Sequence, residues 1–249
     1  MYGQERDQRR WLKRFGRPET AGTRLLCFHY AGGSASMFRD WPKAMPPHVD
    51  LVAVQLPGRA DRFHEPAYRD MASLVEALVE VLEPLLNQPF ACYGASMGAT
   101  VSWALINALA EREMPLPLKL YVAHCPAPSA APMVRGWNEP DEGLVAYMRD
   151  LGGTPPEIMD DPGLLRGLLP ALRADLTVLG TRGHRPPARF GTAIHAFAGA
   201  DDHEVPPERM RPWGLETSAC FDLDILPGGH FFSPEGQRHV FEVISNDLG

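Results

Sequence analysis

Short apolar runs alternate along the chain with segments whose apolar residues recur every three or four positions. The strand-like runs cover residues 24–29, 49–55, 90–93, 118–124, 193–198 and 221–226. Helical periodicity covers residues 71–86, 99–111 and 234–247. Since strands that alternate with helices favour parallel pairing, this order predicts an α/β protein with a mostly parallel central sheet and helices on both faces.

One long stretch interrupts this alternation. Residues 126–187 are rich in proline and glycine, hold two or three short helical pieces and show no strand-like run. The simplest interpretation is a helical insertion between two late strands of one domain that spans residues 1–249. Within the insertion, leucines at helical spacing favour either the packing of a small helix on the sheet or contact with a substrate; they are Leu164, Leu165, Leu168, Leu169 and Leu172.

Charge and composition limit the classes of partner. The net charge of the 249 residues is −7, which disfavours nucleic acid because phosphate binding needs a basic surface. No apolar run approaches the roughly 20 residues of a membrane helix, and residues 1–22 lack the apolar stretch of a secretory signal. We therefore expect a cytoplasmic protein that binds neither nucleic acid nor membrane.

The four cysteines indicate packing rather than cross-linking. Each lies in an apolar segment or at its end, and none forms a Cys-x-x-Cys pair. Free cysteines in such segments usually pack as small apolar side chains. We therefore predict core thiols at all four positions, which are Cys27, Cys92, Cys125 and Cys220.

The segment Gly94-Ala-Ser96-Met-Gly98 stands between a strand-like run and a helix-like one. A serine on a sharp strand-to-helix turn is exposed but strained, and bulky residues two positions to either side would clash. The free amides at the start of the following helix can stabilise negative charge that develops beside it. The pattern alone also fits a plain tight turn. Its strand–turn–helix context predicts that Ser96 is the nucleophile of an α/β-hydrolase fold.

A serine nucleophile needs a base, and the base needs an orienting carboxylate. In this fold the acid and then the histidine follow the serine along the chain. The loop after residues 193–198 offers Asp201 and Asp202, of which Asp202 fits the usual layout better, although either also fits a solvated turn. His230 follows the last strand-like run behind two glycines. We predict Asp202 and His230 as partners of the serine, with weaker candidate bases at His203, His195 and His239.

The oxyanion hole of this fold uses two backbone amides. One expected donor is Met97, directly after the nucleophile. The other is expected in the glycine-rich turn after the first strand, at Ala31, although an ordinary turn also fits there. The sequence has no Walker A loop, no Gly-x-Gly-x-x-Gly after a strand and no His-Glu-x-x-His pattern. We therefore expect no metal site and no bound cofactor.

Five motifs jointly resemble the type II (external) thioesterases of polyketide and nonribosomal peptide assembly lines. They span most of the chain and are Cys27-Phe-His-Tyr-Ala-Gly-Gly-Ser-Ala-Ser36, Leu56-Pro-Gly-Arg59-Ala-Asp-Arg62 through Glu65, Gly94-Ala-Ser-Met-Gly98, Leu151-Gly-Gly-Thr-Pro through Leu169-Pro-Ala-Leu-Arg-Ala-Asp175, and Gly228-Gly-His-Phe-Phe232. Two positions depart from the family's pattern. Ala95 stands where the family usually has histidine, and His29 stands where it usually has proline.

The resemblance implies a single α/β-hydrolase domain with a helical lid insertion at approximately residues 127–187. It implies an enzyme that hydrolyses acyl groups from the phosphopantetheine arm of acyl or peptidyl carrier protein domains, in editing or in product release. Ser96, Asp202 and His230 would form the triad. Ala31 and Met97 would supply the oxyanion donors. No cofactor is implied, because the phosphopantetheine belongs to the substrate, and we expect a monomer.

Two other functions stay open from the sequence. The same triad would serve a general carboxylesterase that acts on oxygen esters, and only a comparison of substrates separates the two. A catalytically silent binding protein of the same fold is the second alternative, although a full set of serine, aspartate and histidine in order argues against it.

The first residues of the chain are basic. Two interpretations are open: they meet an acidic carrier domain, or they form a solvated tail, as termini often do. The residues concerned are Arg6, Arg9, Arg10, Lys13 and Arg14.

Overall fold

A mostly parallel sheet of seven strands runs through the part of the chain that this computed structural model describes, which is residues 8–16, 22–130, 138–182 and 186–249. Its order is β1-β3-β2-β4-β5-β6-β7, and neighbouring strands are parallel except β1 with β3. The predicted parallel α/β sheet is thus confirmed. The strands are β1 (Leu12–Lys13), β2 (Thr23–Phe28), β3 (Val49–Val54), β4 (Phe90–Ala95), β5 (Lys119–Ala123), β6 (Ala193–Gly199) and β7 (Phe221–Leu226).

Helices connect the strands and cover both faces of the sheet. None of the helices in the described ranges combines the length and the apolar composition that a bilayer-spanning segment needs. The helices are α1 (Met71–Leu82), α2 (Met97–Glu111), α3 (Asp141–Leu151), α4 (Pro156–Met159), α5 (Pro162–Gly180), α6 (Pro207–Met210) and α7 (Pro234–Leu248).

The central strand β4 illustrates how the two faces are filled. Successive side chains of a strand point to opposite faces of a sheet. Cys92 accordingly joins the core that Leu78 of α1 and other residues of α1 and α2 complete. Tyr93 joins the other core, with Trp41 and with Ile244 of α7. All five of these side chains are buried, so β4 is covered on both faces and can carry a site only at its end.

Two helix boundaries shift by more than one residue from the sequence-based prediction, and one strand was not predicted. The helix predicted for residues 71–86 ends at Leu82 and continues as the 3₁₀ turn Glu83–Leu85, because Pro84 has no N–H for a helical bond. Helix α2 begins at Met97, two residues earlier than predicted. Strand β1 was not predicted, since two residues show no periodicity.

The segment between β5 and β6 holds α3, α4 and α5, and its described residues contain no strand. Helix α5 has 19 residues and is therefore longer than the short pieces predicted. Asp161 caps it, since its Oδ1 accepts hydrogen bonds from the amides of Gly163 and Leu164 at 2.7 and 3.1 Å. Residues 131–137 and 183–185 lie outside the described ranges, and the limits 127–187 for the insertion stay a prediction.

The prediction of four core thiols is wrong at one position. Cys27, Cys92 and Cys125 are buried free thiols, but Cys220 is exposed. It directly precedes β7, the edge strand of the sheet, which has no further strand beyond it in the described residues. The apolar run after Cys220 belongs to a strand that is itself only partly covered.

The basic N-terminal residues that the structure describes do not form a free tail. Lys13 Nζ lies 2.6 Å from Asp61, and Arg14 Nε lies 3.0 Å from Asp50. Arg10 pairs with Glu65 at 2.5 Å. The expectation of a solvated tail is therefore wrong for these three residues, because β1 ties the segment to the edge of the sheet. Arg6 lies outside the described residues.

Two histidines are buried where parallel strands end. His29 follows β2 and is 2% exposed, and His124 follows β5 and is 6% exposed. Burial, aided by the charge of Arg59, lowers the pKa of His29 from 6.5 to about 4. Burial and the neighbouring His230 lower the pKa of His124 to about 3. Both imidazoles are therefore neutral in the folded protein near neutral pH.

Because the pKa values of these two histidines are lowered in the folded protein, we expect its stability to fall with acidification. The unfolded chain takes up protons below its ordinary histidine pKa of 6.5, whereas the folded chain does not until about pH 4 or 3. Each group should therefore cost about 1.4 kcal/mol of stability per pH unit within that window. His124→Asn, which suits the positive φ of +57° there, should reduce the slope of unfolding free energy against pH in urea titrations. His203→Asn, on an exposed histidine, should not, and equal slopes in all three proteins would contradict the idea.

Candidate active site

Ser96 stands at the sharp turn between β4 and α2. Its φ and ψ are 52° and −117°, a backbone conformation that a residue with a side chain rarely adopts. Its amide donates to the carbonyl of Ala123 on β5 at 2.7 Å, and its carbonyl accepts from the Ala99 amide at 2.9 Å. Such strain persists only where the surroundings over-determine it, and here two hydrogen bonds hold the turn.

Gly94 and Gly98 leave no room for any side chain. A Cβ on Gly94 would lie 2.4 Å from the amide nitrogen of Ala99. A Cβ on Gly98 would lie 2.2 Å from the carbonyl oxygen of Phe28, at the end of β2. The two glycines therefore let α2 pack directly onto the ends of β4 and β2, as the nucleophile-turn pattern predicts.

Asp202 and His230 lie on the loops after β6 and β7 and contact each other. His230 Nδ1 is 2.9 Å from Asp202 Oδ2. Asp202 Oδ1 accepts hydrogen bonds from the amides of Glu204 and Val205 at 3.0 and 2.9 Å. Both side chains are buried, at 3% and 8% exposure for the two residues, whereas Asp201 is exposed. Of the two adjacent aspartates, the structure brings Asp202 to the histidine.

The environment of Asp202 keeps it ionised and sets the tautomer of His230. Burial raises the pKa of Asp202, but the hydrogen bond and charge of His230 and the Val205 amide outweigh burial and lower it overall. A carboxylate can only accept, so His230 Nδ1 carries the proton in this pair. The opposite ring nitrogen, Nε2, is then free to accept a proton.

The two predicted oxyanion donors belong to separate segments, the start of α2 and the turn after β2. Met97 is the first residue of α2, where amides lack a helical partner. Ala31 lies in the turn after β2, in which the Gly33 amide donates to Tyr30 O at 3.0 Å. Ala31 lines the same cavity as Ser96, and Met97 directly follows the serine in the chain, while their roles as donors stay a prediction.

A cavity of about 430 Å³ joins Ser96 and His230 to the β5–β6 insertion. Its polar part includes these two side chains and the turn at residues 31–33. The remainder is largely apolar, and helices α3 to α5 supply much of it. The apolar lining includes Met37, Met148, Leu151, Ile158, Leu168 and Leu172. The arrangement suits a ligand with a reactive polar end and an apolar tail.

The leucines of α5 divide between the two roles left open by the sequence. Leu169 and Leu172 pack in a small core with Leu144 of α3. Leu168 and Leu172 line the cavity, whereas Leu164 is 52% exposed. Packing and contact with the cavity are therefore both properties of this helix.

The loop between α3 and α4 rests directly on the residue after His230. A Cβ on Gly153 would lie 1.9 Å from Cε2 of Phe231. Phe231 in turn packs edge-to-face on Tyr30, with ring centroids 5.2 Å apart. The insertion therefore covers the cavity next to the candidate base.

The other candidate histidines lie elsewhere. His195 and His239 share one oxygen of Asp224, at 3.1 and 2.8 Å, and His203 is exposed. None of the three lines the cavity with Ser96. Sequence reasoning did not single out His124, whose ring centroid is 5.3 Å from that of His230. Its position after β5, one strand from β4, was the only signal for it.

Among the described residues, no group of three histidine, cysteine or acidic side chains is arranged to hold a metal ion. Ser96 and His230 line one cavity, and His230 is bonded to Asp202; a serine, a histidine and an aspartate are the groups that nucleophilic acyl transfer uses.

Comparison with known proteins assigns the family. A family model described as "Thioesterase domain" matches residues 23–248. Linear gramicidin dehydrogenase LgrE of Brevibacillus parabrevis is 35% identical, over 96% of this chain and 92% of that protein. Thioesterase PikA5 of Streptomyces venezuelae is also 35% identical, over 96% and 85% of the two chains. LgrE carries the name of a dehydrogenase, whereas this chain has no Gly-x-Gly-x-x-Gly sequence.

A solved structure extends the likeness to three dimensions. The type II thioesterase BorB from the borrelidin biosynthetic cluster superposes with a TM-score of 0.87 and 34% identity, over 96% of this chain and 98% of that one. The sequence match, the superposition and the serine site agree. The chain therefore belongs to the thioesterase-domain family, has the α/β-hydrolase fold and is a thioester hydrolase similar to type II thioesterases.

Proposed function

We propose that the protein hydrolyses acyl groups from the phosphopantetheine arm of acyl or peptidyl carrier protein domains, in editing or product release during polyketide or nonribosomal peptide biosynthesis. The observation that carries this proposal is the shared cavity, in which Ser96 and His230 meet an apolar chamber covered by α3 to α5. When an acyl-phosphopantetheine thioester binds, its reactive carbonyl would lie beside Ser96 and His230. Its acyl chain would fill the apolar part of the cavity.

The first half-reaction forms an acyl-serine. His230 Nε2 takes the proton from Ser96 Oγ as the oxygen attacks the thioester carbonyl carbon. The amides of Ala31 and Met97 donate to the oxygen that becomes negative. The carbon–sulfur bond then breaks, and the pantetheine thiol leaves with the proton from His230.

The second half-reaction frees the acid. Water attacks the acyl-serine carbonyl while His230 again accepts a proton, and the serine leaves with that proton. Asp202 orients the imidazole and stabilises its cation in both halves, which its ionised state allows. The proposal includes no cofactor, because every side chain that transfers a proton belongs to the protein. We also propose that the enzyme is a monomer and that it works in the cytoplasm.

Ser96→Ala should abolish deacylation. The loss of the nucleophile should lower kcat by roughly 10⁴–10⁶-fold. Mass spectrometry of acetyl- and octanoyl-carrier proteins, with a simple oxygen ester run beside them, measures this directly. Near-normal deacylation by the variant would remove Ser96 from the mechanism.

The same assay separates the alternatives. Hydrolysis of the oxygen ester by the wild-type protein, without hydrolysis of the acyl-carrier protein, would assign a general carboxylesterase. A protein that hydrolyses neither, and whose Ser96 does not react with a fluorophosphonate, would be a catalytically silent binding protein.

Asp202→Asn should leave the fold intact and lower kcat by about 10⁴-fold, because an amide no longer selects the Nδ1-protonated tautomer of His230. Asp201→Asn is the matched control, since the neighbouring carboxylate is exposed and should contribute little to kcat. Similar losses in both variants would show that the loop, rather than the Asp202 carboxylate, matters.

Leu168→Trp should shift the acyl preference towards short chains. A larger side chain on the cavity wall takes volume that a long acyl chain needs, so kcat/KM should fall for octanoyl-carrier protein and persist for acetyl-carrier protein. Leu164→Trp, on an exposed position one turn earlier in α5, is the control. An equal effect on both substrates would show that the acyl chain does not lie against Leu168.

A further inference from the structure

The turn that carries the proposed oxyanion donor has a defined conformation. In Tyr30-Ala-Gly-Gly33, the Gly33 amide donates to Tyr30 O at 3.0 Å, and Gly32 has a φ of +74°. A positive φ at the third residue marks a type II turn, which differs from type I by a flip of the central peptide. The orientation of the Ala31–Gly32 peptide is therefore the variable that distinguishes this turn from its common alternative.

A residue of α5 holds that central peptide. The Gly32 amide donates to Asp175 Oδ2 at 2.8 Å, across 143 positions of sequence. This amide belongs to the peptide whose flip separates the two turn types. The carboxylate therefore stabilises the orientation that the structure contains, because a flipped peptide would turn its carbonyl oxygen towards a negative charge.

Arg59 holds the carboxylate in place and grips the turn a second time. It donates to both oxygens of Asp175, with Nη2 to Oδ1 at 2.8 Å, and its Nη1 donates to Gly33 O at 3.3 Å. Arg59 is 5% exposed and Asp175 is 2% exposed. A two-pronged arginine–carboxylate pair restricts direction as well as distance, so the acceptor that Gly32 meets is rigid.

Neither bond uses the Ala31 amide. The amides of the two residues after it, Gly32 and Gly33, donate to Asp175 and to Tyr30 O. The direction of the Ala31 N–H then follows from the orientation of the turn as a whole. Since oxyanion donors act only when they are aligned before the charge develops, whatever orients the turn affects the rate.

We propose that Asp175 is a positioning residue for the oxyanion hole: it holds the turn 30–33 from α5, so that the Ala31 amide stays aimed at the oxygen that becomes negative. The inference rests on the proposed function, in which Ala31 is a donor. It differs from a purely structural role because it requires the loss to appear in the transition state rather than in substrate binding.

The test uses octanoyl-N-acetylcysteamine as a thioester without a carrier domain, and an octyl trifluoromethyl ketone as an inhibitor whose serine adduct places an oxyanion in the hole. Asp175→Ala should lower kcat by up to about 10²–10³-fold, as expected for the loss of one donor, with KM near the wild-type value. The inhibition constant of the ketone should rise by a similar factor. Asp175→Asn, which keeps an acceptor oxygen for the Gly32 amide, should recover most of kcat.

Two further variants control for folding. Arg173 lies on the same helix as Asp175, and Arg173→Ala breaks its exposed pair with Asp141 of α3, 2.6 Å apart. This variant should leave kcat and the inhibition constant unchanged. Arg59→Met with Asp175→Leu removes the acceptor without burying an unpaired charge, and should reproduce the Asp175→Ala effect if that single variant does not fold.

The outcomes separate this inference from the proposed function. A wild-type protein that hydrolyses neither this thioester nor octanoyl-carrier protein refutes the proposed function. A wild-type protein that hydrolyses this thioester, beside folded Asp175 variants with unchanged kcat, refutes only the positioning role. A fall in kcat without a weaker inhibitor, or a rise in KM alone, also refutes it.

Discussion

The close approach of α2 to the ends of β4 and β2 is the constraint on which the site depends. Gly94 and Gly98 make it possible, since a Cβ at either position would lie within 2.5 Å of backbone atoms. At that contact Ser96 has its strained conformation, and the start of α2 lies against the end of β2. Because strands of a parallel sheet end at one edge, the loops after β6 and β7 then bring Asp202 and His230 to the same place.

The sequence alone indicated those features that have a signal in their neighbouring residues. The strand–turn–helix around Ser96 and the histidine behind two glycines have periodic or glycine-rich surroundings that single them out. The role of Asp175 has no such local signal, because its partners Gly32 and Arg59 lie more than 100 positions away. The sequence analysis did not identify His124 for a similar reason, since only the strand order brings it close to His230.

Buried charged side chains near the sheet form ion pairs within the protein. Arg59 with Asp175, and Arg14 with Asp50, pair basic side chains with buried acids. His29 and His124 avoid charge altogether. The candidate catalytic pair combines a charged and a neutral side chain, since Asp202 is ionised and accepts a hydrogen bond from His230 Nδ1. Buried charges of this kind cost little only while each keeps its partner, so the site tolerates few single substitutions.

Helix α5 contacts both the cavity and the turn after β2. Its Leu168 and Leu172 line the chamber, and one turn later Asp175 is bonded to the turn after β2. Separating Asp175 from Arg59 would leave two buried charges without a partner, which is costly, so this pair holds the second half of α5 against the turn after β2. A motion that widened the chamber while keeping this pair intact would therefore involve α3, α4 and the first turns of α5. A thioester entering beneath that cover would meet an oxyanion turn that is already set.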